Sequence, residues 1–311
     1  MLLIIQHTWF LTMRERFGII ILMNKLNRHK QSQIIAALVE GSSLRSTARI
    51  CDVAFNTVLN LLPQIGNAVA DYQDRTLRNL RCKRIQCDEC WSFCYAKEKN
   101  VPAEKKGQFG FGDAWTWVAI DAETKLVPSF MVGNRDLQSA RIFINDLAGR
   151  LSNRIQLTTD GLRVYLSAVE DSFGSEIDYA MLSKLYASSQ EEVRYSPAEC
   201  VGVERKVIMG RPDAAHVSTS YVERQNPSMR MGMRRFTRLT NGFSKKVENH
   251  AYSVALYFMH YNFAKVHGTL RVTPAMEAGV SDHVWTVDEI AALLPEPRFG
   301  QRGPYRKRNS K

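Results

Sequence analysis

The sequence predicts an α/β chain in two parts, a short all-helical unit followed by a larger domain in which strands and helices alternate. Three observations predict it. The 311 residues suffice for two modest domains, and a hydrophobic content of 45% can supply each with a core. Residues 27 to 62 hold three short runs with apolar residues at helical spacing, parted by turn residues. From residue 84 the pattern changes to alternation, and helical runs then follow strand-like ones.

In the first part, Asn27 is placed to cap a helix whose apolar face holds Ile34, Ile35 and Leu38, and Gly41 to end it. Ser43 caps a second helix carrying Leu44, Ala48 and Ile50, and Cys51-Asp52-Val53 makes a tight break. A third helix begins near Phe55 and buries Val58, Leu61 and Leu62. Helix, short turn, helix is the layout of a helix-turn-helix unit, whose second helix enters the major groove by its first residues. Those residues are Asn56 and Thr57, both able to hydrogen-bond base edges, while Arg45 and Arg49 are placed to meet phosphates. A plain three-helix bundle with solvated arginines has the same local pattern. Pro63 is expected to end the third helix and to open a linker helix over residues 64–82.

In the second part, residues 84–97 alternate around Ile85, Cys87 and Phe93, residues 98–112 are charged and loop-like, and residues 115–120 and 127–132 read as two further strands. Asp136 caps a helix through Ile142, Ile144, Leu147 and Leu151. Residues 155–159 form a short apolar strand that runs into Asp160-Gly161, residues 164–173 a helix, and residues 179–186 a candidate strand. Residues 188–216 read as irregular, and a long aromatic helix is expected over residues 250–266. Three strands, helix, strand, helix, strand, helices is the element order of an RNase H-like α/β fold.

The net charge of +11, with a pI of about 9.4, calls for a polyanionic partner, either nucleic acid or an acidic membrane surface. Leu2–Ile5 and the apolar run 18–22 are interrupted by His7, Arg14, Glu15 and Arg16, whereas a membrane span needs about 20 mostly apolar residues. Residues 1–22 are therefore expected to be an upstream extension or a loose arm, with Met23 opening the folded chain. The last residues, with Arg298, Arg302, Arg306, Lys307 and Arg308 among Gly and Pro, read as a disordered basic tail. Cys82, Cys87, Cys90 and Cys94 are spaced along a strand rather than as two knuckles across a gap, so they are expected to be reduced, buried thiols in a cytoplasmic protein rather than zinc ligands.

Three carboxylates stand out. Asp88 lies inside the apolar-flanked first strand, where a charge is costly unless paired or metal-bound. Asp160 follows an apolar strand and precedes Gly161, at a strand's carboxyl end, where α/β sheets place ligand-facing residues. Glu223 begins a helical stretch, and Arg230 follows it seven residues, about two turns, later on the same face. Such carboxylates, brought together, repel one another and stay ionised best around divalent cations. Singly, each has an ordinary alternative as a bulge, turn or surface charge. Arg230, Arg234, Arg235 and Arg238, with Lys245 and Lys246, make either a phosphate-binding surface or a solvated basic face.

The segment Ser218-Thr219-Ser220-Tyr221-Val222-Glu223-Arg224-Gln225-Asn226 resembles the glutamate motif of the insertion-sequence-one family of bacterial transposases. Residues 234–241 and 271–276 extend the likeness, as do Asp88 before Trp91 and Thr159-Asp160-Gly161. It covers roughly residues 25 to 280. The resemblance implies an RNase H-like catalytic core, Mg²⁺ dependence with two ions (Mn²⁺ able to substitute), and cut-and-join chemistry on double-stranded DNA at the ends of a mobile element. It makes Asp88, Asp160 and Glu223 the metal-binding catalytic triad and Arg230 the basic position after the glutamate. The founding members' N-terminal zinc ribbon has no counterpart here, and Pro227 is expected to kink the helix of Glu223.

The expected arrangement is an extension over 1–22, a helix-turn-helix domain with linker helix over 23–82, an RNase H-like catalytic domain over 83–280, and a C-terminal segment with basic tail over 281–311. Oligomerisation on DNA and a place at the nucleoid, not the membrane, go with it. The rival is a non-catalytic DNA-binding regulator in which the carboxylates no longer work, and a nuclease without strand transfer is third.

Overall fold

The computed structural model describes residues 26–186, 200–237 and 240–296. The extension over 1–22, the tail beyond 296 and part of the stretch expected to be irregular lie outside them.

Three helices open the described chain: α1 (Arg28–Val39), α2 (Leu44–Ile50) and α3 (Phe55–Thr76). Asn27 and Ser43 cap the first two by accepting from Lys30 N and Ser46 N, and Asp52 turns the chain at a φ of 49°. Ile34, Ile35, Val58 and Ile65 are fully buried between them.

Pro63 does not end the third helix, which runs unbroken for 22 residues. Proline removes its own donor and crowds the carbonyl one turn back, but Leu61, Leu62, Ile65, Val69 and Ala70 continue one buried stripe on both sides of it. That stripe packs against α7 (Val247–Met259), and burial of this kind outweighs one lost backbone bond. Gly66 lies at the crossing, where a Cβ would come within 2.4 Å of Tyr252 Cβ. In place of a linker helix to residue 82, α3 stops at Thr76 and the chain runs on through an isolated bridge from Leu80 to Leu151. Arg150, 5% exposed, ties that end down by pairing with Asp74 at 2.9 Å and Asp146 at 2.7 Å.

The sheet contains β1 (Arg84–Cys94), β2 (Gly112–Asp121), β3 (Ser129–Gly133), β4 (Ile155–Asp160), β5 (Ile177–Tyr186) and β6 (Cys200–Met209). Their order across it is β3-β2-β1-β4-β5-β6. β1, β2 and β3 form an antiparallel meander, β4 and β5 run parallel to β1, and β6 returns antiparallel to β5. The predicted element order is thus the observed one as far as β5, and the mixed α/β class with it. β6 corrects the expectation of irregular chain over 188–216. Its residues are exposed on both faces, so it lacks the buried alternation by which a strand is read.

Helices α4 (Leu137–Ala148) and α5 (Val164–Phe173) pack against each other, with α4 also on β3. Asp136 caps α4 by accepting from Ser139 N. On β1 and β3 lie α6 (Ser220–Gly232) and α7. Rather than spanning 250–266, α7 starts at Val247 and passes into a π turn over His260–Ala264. Asn262 in that turn is fully buried and pins it to the lead of β3, accepting from Val127 N and donating to Val127 O, both at 3.0 Å. Two short helices follow, α8 (Pro274–Glu277) and α9 (Val287–Ala292). α9 returns to pack on α1, where Arg28 donates to Ala291 O and Leu294 O, so both ends of the described chain build the helical layer. Among the described residues no helix is long and apolar enough to cross a membrane.

Candidate metal centre

The centre of the sheet is a step between strands of unequal length. β1 pairs with β4 only from Arg84–Gln156 to Cys87–Thr159, while on its other side it pairs with β2 as far as Cys94. The next residue on each strand beyond the last β1–β4 pair is Asp88 and Asp160. β4 stops there because Gly161 turns the chain past β5; a Cβ at Gly161 would lie 2.6 Å from Ser183 Oγ.

Alternation along β1 sorts its side chains between two helical layers. Gln86, 3% exposed, accepts from Tyr221 N at 2.8 Å and Val222 N at 3.3 Å, and so holds the first turn of α6. Two residues on, Asp88 accepts from Asn226 Nδ2 of the same helix at 2.8 Å. Glu89 serves the other layer, accepting from the Tyr165 hydroxyl of α5 and pairing with Arg135 Nε at 3.2 Å. Arg135 also lies 3.6 Å from Asp160 and 4.6 Å over the ring of Trp115.

Oxygens of Asp88, Glu89 and Asp160 approach within 4.8 Å of one another. Desolvation and mutual repulsion push their carboxyls up, Asp88 to about 6 and Glu89 to about 7, with Asp160 also raised. Two of the three carboxylates expected from the sequence are therefore together, with Glu89 beside them. Glu223 lies outside this group, though its charge reaches Asp88 and Asp160 and helps to raise both. On α6 it accepts from Thr219 Oγ1 at 2.6 Å and pairs with Lys184 of β5. Pro227 sits inside α6 without interrupting it; buried Val222, Gln225 and Met229, with the Gln86 cap, hold the helix on the sheet.

The donor set suits a hard divalent cation. It is all carboxylate oxygen, crowded and short of positive charge, as the upward shifts record. Among the described residues no cysteine joins such a group, and Cys82, Cys87, Cys90 and Cys94 are buried thiols.

The basic residues separate. Arg45, Arg49 and Asn56 are exposed and Thr57 half-buried around the turn between α2 and α3, with Arg45 5.3 Å over Phe55. Arg234 is exposed and Arg230 half-buried on α6. Arg235 departs from the expected surface and turns inward, donating to Ser244 Oγ at 2.7 Å; burial lowers it to about 10. Ser244 lies 3.1 Å from His250 Nδ1, and His250 Nε2 3.1 Å from Ser92 Oγ, which donates to Ala114 O. Glu89 escaped the sequence reading because alternation sends it to the opposite face from Asp88. The available signal was a second acid inside an apolar strand. For Arg135 the signal was a lone cation between a strand end and a helix cap.

No known family profile matches the chain, and no curated protein matches it in sequence. Among solved structures, the Mos1 strand transfer complex is similar at 14% identity and a TM-score of 0.22, covering 55% of this chain and 64% of that one. A piggyBac transposase synaptic complex with hairpin DNA is similar at 9% identity and a TM-score of 0.37, over 87% of this chain and 71% of that one. The Mos1 mariner paired-end complex with Mn matches at 14% identity and a TM-score of 0.18, over 53% and 64%. The chain thus matches less than two thirds of the length of the Mos1 protein.

Proposed function

We propose that this chain is a DNA transposase of the Asp-Asp-Glu type, an RNase H-like strand transferase that binds the ends of an insertion sequence. The observation that carries the reading is the meeting of Asp88 and Asp160 at the step between parallel strands, with Glu223 on α6 near enough for its charge to act on both. Asp88, Asp160 and Glu223 would hold Mg²⁺ or Mn²⁺, two ions in all. Such ions would supply activation of an attacking hydroxyl and stabilisation of the leaving oxygen in an in-line phosphoryl transfer. The chain's own residues set the geometry. Asn226 orients Asp88, Gln86 fixes the start of the helix that carries Glu223, and Arg135 on its Trp115 face bridges Glu89 and Asp160.

For DNA, Asn56 and Thr57 would read base edges from the start of α3 in a helix-turn-helix, with Arg45 and Arg49 on phosphates. Arg230 and Arg234 would meet the backbone near the carboxylates, and Arg235 would act through the segment it anchors.

A second reading, a regulator that binds DNA without cutting it, draws on the pairing of Lys184 with Glu223. Strand transfer of labelled element ends into target DNA separates the two. The proposed enzyme cleaves and joins only with Mg²⁺ or Mn²⁺ present. Specific end-binding without any divalent-dependent cleavage would establish the regulator instead.

A further inference from the structure

β6 ends the strand order, and among the described residues no strand pairs with its outer side. Leu185, Val201, Val203 and Val207 of the β5–β6 hairpin are exposed by 51, 63, 48 and 59%. Free backbone donors and acceptors beside exposed valines form a pairing template, which proteins ordinarily blunt with short strands, proline or like charges. β6 has ten residues and no proline, and its central charges, Glu204, Arg205 and Lys206, are of both signs.

We propose that β6 pairs antiparallel with β6 of a second copy of this chain, about a two-fold axis at Arg205, so that two six-stranded sheets become one. Self-pairing about such an axis must place one residue opposite its own copy. With Arg205 on the axis, Glu204 faces the second copy's Lys206 and Lys206 its Glu204. Val203 faces the second copy's Val207, and Val207 its Val203. Opposite charges and β-branched residues set directly across from one another are stabilising cross-strand pairs. Between the two register irregularities of the β5–β6 pairing, residues 202–207 alternate regularly, so these pairs fall cleanly on two faces. The one like pair, Arg205 with itself, has side chains long enough to diverge into solvent. Moving the axis to Glu204 sets Glu204 against itself and Val203 against Arg205. Moving it to Lys206 sets Lys206 against itself and Arg205 against Val207. The charge order therefore selects one register, and it selects a copy of the same strand as occupant.

The test uses the full chain. Light scattering is expected to give twice the 35.4 kDa of one chain. Glu204→Lys and Lys206→Glu should each weaken self-association at least tenfold, and the exchanged double variant should restore it. Register is read by cross-linking after Cys200→Ser, which removes the one exposed cysteine among the described residues. Under mild oxidation Arg205→Cys should form a disulfide-linked dimer, because directly opposed residues lie about 4.5–5.5 Å apart, within disulfide reach. Glu204→Cys, displaced from the axis, should cross-link far more slowly. A monomer at all concentrations would overturn the proposal. So would a dimer indifferent to both charge reversals, or equal cross-linking from positions 204 and 205.

Discussion

Asn226 on α6 donates a 2.8 Å hydrogen bond to the carboxylate of Asp88 on β1. Three residues earlier on the same helix stands Glu223, so this bond sets how far the glutamate lies from the strand-borne acids. Asn226→Ala should leave folding intact but loosen that spacing. The expected result is at least a tenfold fall in divalent-dependent cleavage with duplex binding kept. Unchanged cleavage would show that the bond positions nothing.

Asp88→Asn, Asp160→Asn and Glu223→Gln should each abolish cleavage and joining while sparing the fold and end-binding. Any single change should suffice, because groups that share an ion act as one unit and their losses do not add. If the parent is active and one variant keeps ordinary activity, that residue is not a ligand.

The raised carboxyls make stability depend on pH with a definite sign. Asp88 near 6, Glu89 near 7 and the raised Asp160 hold protons in the folded state that the unfolded chain has already released, from about pH 4 upward. Stability from these groups is therefore fully present below pH 4 and falls as pH rises through 6 to 7. Thermal melts of the metal-free protein should show Tm decreasing from pH 5 to pH 8, and Glu89→Gln should flatten the decline. Mg²⁺ or Mn²⁺ should raise Tm more at pH 8 than at pH 5, because binding needs the carboxylates ionised. A metal effect independent of pH would argue against this site.

Arg135 is a resident cation for Glu89 and Asp160. Arg135→Gln leaves a buried carboxylate without its partly exposed partner and should cost about 1–3 kcal/mol at neutral pH in the absence of metal. It also removes a competitor for the same oxygens, so calorimetric Mn²⁺ affinity should rise. Weaker Mn²⁺ binding would instead mean that the guanidinium shapes the site and does not compete for it.

The fold was legible where apolar spacing and helix caps are written locally. Alternation around Ile85, Cys87 and Phe93 marks β1, and Asn27, Ser43 and Asp136 mark helix starts because each cap is local chemistry. Pro63 misled because its effect on α3 is decided by a partner, α7, almost two hundred residues away. β6 was hidden because neither face is buried. In the site, Asp88 and Asp160 announced themselves at an apolar strand and a strand end. Arg135 and Lys184 did not, since only the tertiary fold brings a residue after β3 to Glu89 and Asp160 and one on β5 to Glu223, while Glu89 was hidden by the alternation that sends it to the opposite face from Asp88.

His250 titrates in the opposite sense to the carboxylates. It is fully buried, and burial with the nearby Arg235 lowers it to about 3. The unfolded chain binds a proton near pH 6.5 that the folded chain refuses, so stability falls as pH drops below 6.5 toward 3. His250→Gln should reduce this acid sensitivity in urea titrations between pH 7 and pH 4. An unaltered slope would place the acid loss elsewhere.

On DNA, Asn56→Ala should weaken binding to element ends and spare random duplex. Arg45→Ala should weaken both and lower the salt slope by about one. Equal loss on both duplexes from Asn56→Ala would remove the base-reading role.

The unbroken passage of α3 through Pro63 makes the chain a ruler. The same rod begins at the exposed turn that holds Asn56 and ends where Arg150 clamps Asp74, packed along α7 on the way. At about 1.5 Å per residue its 22 residues span about 33 Å, with no joint in which slack could gather. One residue inserted before Gly66 would swing everything upstream by about 100° around the rod axis. Whatever α2 and the tip of α3 grip would thereby be held at a fixed reach and azimuth from Asp88 and Asp160, and on the proposed reading the phasing of one along a duplex would dictate which phosphate meets the other.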